Sequence, residues 1–365
     1  MRIATYNVEW FNALFDDEDL LGWDRRWSGR RDIRREDQLA ALGLVFGSLN
    51  ADAVFVVEAP DTTQKRSTTR ALEAFAAHFG LRASKAITGF PNDTQQELAL
   101  LYDPRVIAAV HDPRGGGSGV LGEGEVPKFD RTLRIDLDGD GVARPVSFSK
   151  PPLELALELR GSGPDGGGTR MVRMIGVHIK SKAPNGARGK SEILRMAVEN
   201  RKKQLAQCLW LRARVVEDMK AGDDVIVLGD FNDGPGLDEY EHLFGRSGVE
   251  VVLGEQGPLH LYDPHARLAL AQKVGIIPAT ARFLIPDDAE GLGDSMTEDG
   301  PEGSGRRWLS ALLDYIMISP ALRECHPKWR IWHPFDDADC YHDLALRDAL
   351  LTASDHFPVT LDFSP

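Results

Sequence analysis

The chain has 365 residues, 42% of them hydrophobic and 27% charged, with a formal net charge of −13. That size buries a substantial core and would accommodate two domains, while the lack of any apolar run of membrane-span length excludes a spanning helix. The acidic balance repels a polyanion overall, so a nucleic-acid partner would have to be held by locally concentrated positive charge.

Taken in chain order, Arg2 to Trp10 reads as a strand that delivers Asn7 and Glu9. Arginines crowd residues 25–35 around Trp27, either as a solvated face or as a flank of a site. Arg31 to Leu49 has Leu39, Leu42, Val45, Phe46 and Leu49 at helical spacing. Asp52 to Glu58 is an apolar strand closed by a carboxylate, residues 67–80 form a short helix, and Glu97 to Tyr102 is another strand. Residues 111–128 are Gly-rich and aperiodic, hence a long loop.

Two hairpins follow, Phe129 to Leu137 with Val142 to Ser149, then Leu153 to Leu159 with Met171 to His178. The acidic turn Asp136 to Gly141 resembles a calcium loop but has Ser147 where the closing Glu should stand, so it reads as a polar hairpin turn. Glu192 to Met219 is the longest helix, with its stripe through Leu205, Cys208, Leu209, Arg212, Val215, Val216 and Met219; Arg201 to Lys203 fall on its solvated face. Val225 to Leu228 is a buried strand that breaks at Gly229 into Asp230, Phe231, Asn232 and Asp233. Asp230 and Asn232, two apart, share a face and pair a proton acceptor with a neutral donor.

Residues 286–307 are irregular, acidic, Gly-rich and expected to be mobile. Leu312 to Ile318 is an apolar strand with Asp314 inside it. Trp329, Trp332, His333 and Phe335 read as packing under a sheet, and Ser354-Asp355-His356 runs into the C-terminal strand. Cys208 is a core residue, whereas Cys325 and Cys340 are able to pair. The absence of a leader-like start and the sparse cysteines point to the cytoplasm.

An acid in an apolar strand costs several kcal/mol unless paired or metal-bound. Glu58, Asp230, Asp314 and Asp355 therefore call for one shared explanation. The ordered set Tyr6-Asn7-Val8-Glu9, Glu58, His178-Ile179-Lys180-Ser181-Lys182, Gly229-Asp230-Phe231-Asn232, Asp314 and Asp355-His356 resembles the endonuclease/exonuclease/phosphatase superfamily. The resembling branch opens with Tyr-Asn-Val-Glu.

The resemblance implies a deoxyribonuclease-I-like α/β (α+β) fold, a four-layer α/β/β/α sandwich of two packed, mostly antiparallel sheets. Motifs spread from end to end imply one domain over 1–365, with loop insertions near 111–128 and 286–307. It implies a Mg2+-dependent phosphohydrolase, with Mn2+ as substitute, that cleaves DNA or RNA; a small phosphate ester is the alternative substrate, and a catalytically silent binding module a third reading.

Glu58 becomes the principal metal ligand, with Asn7 and Asp355 near the ion. Asp230 aligns or deprotonates water, Asn232 and His178 donate to the phosphate, and Asp314 orients His356. That histidine acts as base, acid or cationic stabiliser. Lys150 stands where relatives commonly carry Arg and so loses bidentate phosphate recognition. Arg131 is the candidate to supply that fork, and Lys180 is a further phosphate contact. Glu9 either shapes a second metal position or positions Asn7. Oligomeric state is not readable.

Overall fold

The computed structural model describes residues 1–117, 119–161, 168–183, 189–235, 245–271, 278–286, 297–301 and 305–365. Its elements begin with β1 (Arg2–Asn7), α1 (Arg35–Leu49), β2 (Ala53–Ala59), α2 (Thr68–Phe79), β3 (Lys85–Thr88), β4 (Glu97–Tyr102) and β5 (Ile107–His111). Then come β6 (Leu133–Ile135), β7 (Arg144–Val146), β8 (Leu153–Arg160), β9 (Thr169–His178), α3 (Lys190–Lys220) and β10 (Val225–Asp230). After these follow α4 (Gly248–Leu253), α5 (Pro264–Ala271), β11 (Ala281–Pro286), β12 (Thr297–Asp299), β13 (Arg306–Ala311) and β14 (Asp314–Ile318). The chain ends with β15 (Lys328–Ile331), α6 (Ala338–His342), α7 (Leu344–Ala353) and β16 (Val359–Asp362).

Two large sheets result, one in the order β15-β16-β1-β2-β4-β3 and the other β14-β10-β9-β8-β5. Each is antiparallel apart from one parallel pair, β1 with β2 and β9 with β10. Side-chain alternation explains the unbroken apolar runs. In β2, Ala53, Phe55 and Val57 face the second sheet while Val54 and Val56 face helices. In β10, Ile226 and Leu228 point inward and Val225 and Val227 outward.

The inner core therefore lies between the sheets, joining Ile3, Phe55 and Leu100 to Leu155, Met174, Ile226 and Ile316. Outside the first sheet, α1, α2 and α7 pack Leu42, Phe46, Phe75 and Leu350 against it. Outside the second, α3, α4 and α5 bring Leu211, Val252 and Ala266. This is the four-layer α/β/β/α sandwich expected.

Several sequence expectations need correction. The first strand stops at Asn7, and Glu9 lies in a turn with Trp10 at φ 60. α1 begins at Arg35 because Arg34 is still extended, bridging to Trp27. β3 and β5 are short sheet edges, half-exposed to exposed apart from buried Ile107, so neither carries the apolar alternation that would announce it. Asp314 opens β14 rather than sitting inside it, since Leu312 and Leu313 form the break after β13. Asp355 and His356 precede β16, His356 making an isolated bridge to Ala281. Within 286–307, β12 and the start of β13 join β11 in a three-stranded sheet; 287–296 and 302–304 lie outside the described residues.

The buried face of α3 is rotated from its apolar stripe and more polar, including Arg201, Gln204, Gln207, Arg214 and Asp218. Arg201 is fully buried, not solvated, because Asp233 Oδ2 lies 2.9 Å from its guanidinium. The Asp136–Gly141 segment is the β6–β7 hairpin turn, with Asp136 accepting from the amides of Gly139 and Gly141. Cys208 is core, and Cys325 and Cys340 are free, buried thiols. Trp332 and His333 are buried as expected, whereas Phe335 is exposed. Among the described residues no helix is long and apolar enough to cross a membrane.

Gly229 fixes the break at the end of β10. Its φ is +129, and a Cβ there would lie 2.1 Å from the Val177 carbonyl oxygen of β9. Backbone cannot yield as a flexible side chain would. Gly229→Ala is expected to cost about 2–5 kcal/mol, the combined scale of backbone strain and overpacking. A lowered urea midpoint at unchanged m-value would show it.

Candidate active site

Register and topology gather the site. Pairing places His178, Asp230 and Asp314 side by side across β9, β10 and β14. In the facing sheet, Asn7 ends β1 opposite Val57, one residue before Glu58. Because each parallel pair brings two strand C-termini to one edge, polar residues that end four distant strands meet at one end of the sandwich. Glu58 sits on a bulge between Val57 and Ala59 at φ 61, and Asn232 has φ 49. Non-glycine residues in that region are uncommon and cluster at functional sites.

Asp230 is the most constrained group. Its Oδ1 accepts from the Asn232 amide at 2.7 Å, and its Oδ2 from Asn7 Nδ2 at 3.0 Å and Asn232 Nδ2 at 3.1 Å. His178 Nε2 lies 3.6 Å from Asp230 Oδ2. On the other side of that ring, Lys150 Nζ is 3.0 Å from Nδ1. An ammonium can only donate, so Nδ1 accepts and the ring proton is on Nε2, facing Asp230. Burial and the Lys150 charge both drive the His178 pKa well below its ordinary value, which agrees with a neutral imidazole.

Lys150 also donates to Gln96 Oε1, and Gln96 Nε2 donates to Glu58 Oε2 at 2.6 Å. A continuous chain of hydrogen bonds and close contacts thus links Glu58, Gln96, Lys150, His178 and Asp230. Behind it, Glu97 accepts from Asn92 at 2.6 Å, and burial lifts its pKa to about 7.

His356 Nδ1 donates to Asp314 Oδ2 at 2.8 Å. Burial opposes its charge, yet Asp314, Asp230 and Asp355 together raise its pKa to about 10. Asp230 is pushed up to about 7, chiefly by burial, with Asp314 adding to the rise and His356 opposing it. Thr280 Oγ1 accepts from the amides of Leu313 and Asp314, each at 2.9 Å, and fixes the backbone that carries Asp314. Phe283 packs edge-on to His356 with ring centres 5.4 Å apart.

Ligating atoms of Asp230, Asp314 and His356 all lie within 4.8 Å of one another. Within that trio the surrounding acids favour the charged form of His356, so the imidazole itself brings positive charge there. A harder donor set lies beside it. Asn7 Oδ1 is buried without a hydrogen-bond partner. The pKa of Glu58 is raised, mainly by burial, with Asp355 adding repulsion. Glu9 is lifted to about 7, again by burial first and Asp355 second, despite its ion pair with Arg30. Oxygen donors under mutual repulsion suit a hard divalent cation.

Most of the residues expected from sequence are thus brought together: Asn7, Glu58, Lys150, His178, Asp230, Asn232, Asp314 and His356, with Asp355 close enough to act electrostatically on Glu9 and Glu58. Lys180 is half-buried, its amide held by Gln207, and its charge further depresses the pKa of His178. Arg131 is excluded. It is exposed, with its guanidinium 3.7 Å from Asp130.

Gln96 and Thr280 carry no signal in the sequence, because neutral residues in loops announce no chemistry, and Ser354 is visible there only as the start of the Asp355-His356 stretch. Ser354 Oγ donates to Asn7 O at 2.8 Å and accepts from Glu9 N at 3.1 Å. Lys182 serves structure, bonding Asp233 Oδ1 at 2.7 Å.

Solved structures similar in fold include truncated TDP2 of Caenorhabditis elegans (14% identity, 100% of this chain and 97% of that chain, TM-score 0.47). Another is an AP endonuclease from Archaeoglobus fulgidus (12% identity, 100% of each chain, TM-score 0.47). The catalytic domain of human Nocturnin with bound sulfate is also similar (12% identity, 100% of this chain and 94% of that chain, TM-score 0.45). No curated protein matches the chain. The family profile described as Endonuclease/Exonuclease/phosphatase family matches residues 4–356, from the first strand to the histidine paired with Asp314. With that match over nearly its whole length, the chain belongs to the endonuclease/exonuclease/phosphatase family and is a phosphoric ester hydrolase.

Proposed function

We propose that this hydrolase is a divalent-metal-dependent phosphodiesterase of DNA or RNA, with Asp230 as the group that handles the attacking water. The observation that carries it is the fixed Asp230 carboxylate, held by Asn7 and Asn232 between a neutral His178 N–H and the His356–Asp314 pair. Asn7, Glu58 and Asp355 would hold Mg2+ or Mn2+, and the unpartnered Asn7 Oδ1 supports that assignment. When bound, such an ion neutralises phosphoryl charge and makes a coordinated water more acidic.

Asp230 orients water and takes its proton as the water oxygen bonds to phosphorus. The ester P–O bond then breaks, the leaving oxygen takes a proton from solvent water and departs as an alcohol, and Asp230 returns its own proton to solvent. His178 and Asn232 donate to nonbridging oxygens, where negative charge accumulates. His356, held by Asp314, places a fixed cation beside the same centre. Lys150 fixes the His178 tautomer and so acts through it rather than on the phosphate.

A small phosphate ester is the second reading, favoured by the net charge of −13, which repels polymers. An assay of plasmid, oligonucleotides and small esters with Mg2+ or Mn2+ separates the two. Activity on nucleic acid should vanish with chelator and fall steeply with salt, because several phosphates are engaged. Salt-insensitive turnover of small esters alone would overturn the nucleic-acid reading.

A further inference from the structure

We propose that Trp10, backed by the arginine-rich loop of residues 25–35, is a stacking platform for an unpaired base beside the scissile phosphate, so that the substrate is single-stranded nucleic acid. This rests on the phosphodiesterase reading above. Trp10 is 50% exposed, yet it is held firmly. Its indole N–H donates to Glu9 Oε1 at 3.0 Å, and the Glu9 amide donates to the Ser354 Oγ that also bonds Asn7 O. The ring is one hydrogen bond from the acids that border the site.

One side of the ring rests on Gly29. A Cβ at that glycine would fall 2.8 Å from the indole carbons, so only glycine admits the approach, and its φ of +103 requires glycine as well. The loop is anchored in turn by the Arg30–Glu9 ion pair and by Arg30 Nη2 donating to Leu351 O at 3.2 Å. Trp27 is 57% exposed, with the Arg34 guanidinium 3.3 Å from its ring centre.

Between Trp23 and Glu36 six arginines stand against three acids, in a chain whose net charge is −13. Arg30 and Arg35 are taken up by Glu9 and Asp24, while Arg25, Arg26 and Arg31 are exposed and paired only at the surface, so the loop keeps a surplus of positive charge. Flat bases stack on such rings whatever their identity, while arginines follow the phosphates. In a duplex those base faces are already covered. Each ring has a covered side, Trp10 by Gly29 and Trp27 by Arg34, which suits a planar base better than insertion into an anionic bilayer.

The test measures binding of a labelled single-stranded oligonucleotide in EDTA by anisotropy, and kcat/KM with metal for that oligonucleotide and for bis(4-nitrophenyl) phosphate. Trp10→Ala should weaken oligonucleotide binding about tenfold and lower the oligonucleotide-to-small-ester kcat/KM ratio by a similar factor. Trp10→Phe should restore most of both, since it keeps a ring. The single strand should also bind more tightly than its annealed duplex.

An unmoved ratio and affinity, tighter binding of duplex, or a loss seen only with phosphatidylserine vesicles would each overturn the platform. Wild-type protein that hydrolyses the small diester without binding the oligonucleotide sinks this inference alone. Tenfold weaker oligonucleotide binding by Trp10→Ala, in a protein that cleaves no ester, would sustain the platform and sink the phosphodiesterase reading.

Discussion

Asp230→Asn should lower kcat on any phosphodiester by on the order of 10³-fold, within the range for loss of a positioned acid–base group. The substitution keeps the shape and one acceptor oxygen but removes the charge and the proton-accepting oxygen. Asp230 is 1% exposed and sits beside Asp314, across the β10–β14 register. Relief of repulsion with Asp314 is offset by an amide nitrogen facing donors from Asn7 or Asn232, so the variant should stay folded with a stability change of about 1–3 kcal/mol at most. Steady-state kinetics with a denaturation curve separates the role from collapse. Wild-type kcat in a folded variant would remove Asp230 from the chemistry.

Asp233→Ala should have the largest effect on stability, about 3–5 kcal/mol, because it strands a buried charge. Asp233 is fully buried between Arg201 and Lys182, with Oδ2 also accepting from the Gly248 amide at the start of α4. Burial alone would raise its pKa, but the two cations hold it below the usual carboxylate value. Removing it leaves Arg201 buried, loosens Lys182 and undoes the seat of α4. Chemical denaturation is the measurement. A loss under 1 kcal/mol would mean that Arg201 escapes to water more easily than its burial implies.

The fold was legible wherever an element buries one face or both. β2 and β10 announce themselves as apolar runs because each is sandwiched between a helix layer and the other sheet. β3 and β5, exposed edges, carry no such pattern. The long helix α3 was visible, but its orientation was not. Its apolar stripe underweights a buried face that carries Arg201, Gln204, Gln207 and Arg214, each bonded to a partner distant in sequence. Composition cannot distinguish a buried, paired arginine from a solvated one.

By itself the sequence determined the kind of chemistry: oxygen and nitrogen donors set where apolar strands stop. Such residues are costly in a sandwich interior unless they serve a site, so their presence at strand ends is a local and readable fact. Only the tertiary structure decided who faces whom. It tied Lys182 to Asp233 and set Lys150 against the His178 ring. It also brought in Gln96 and Thr280. Those pairings depend on register, a bulge at Glu58 and loops converging from separate strands, and spacing along a chain carries no record of distances across it.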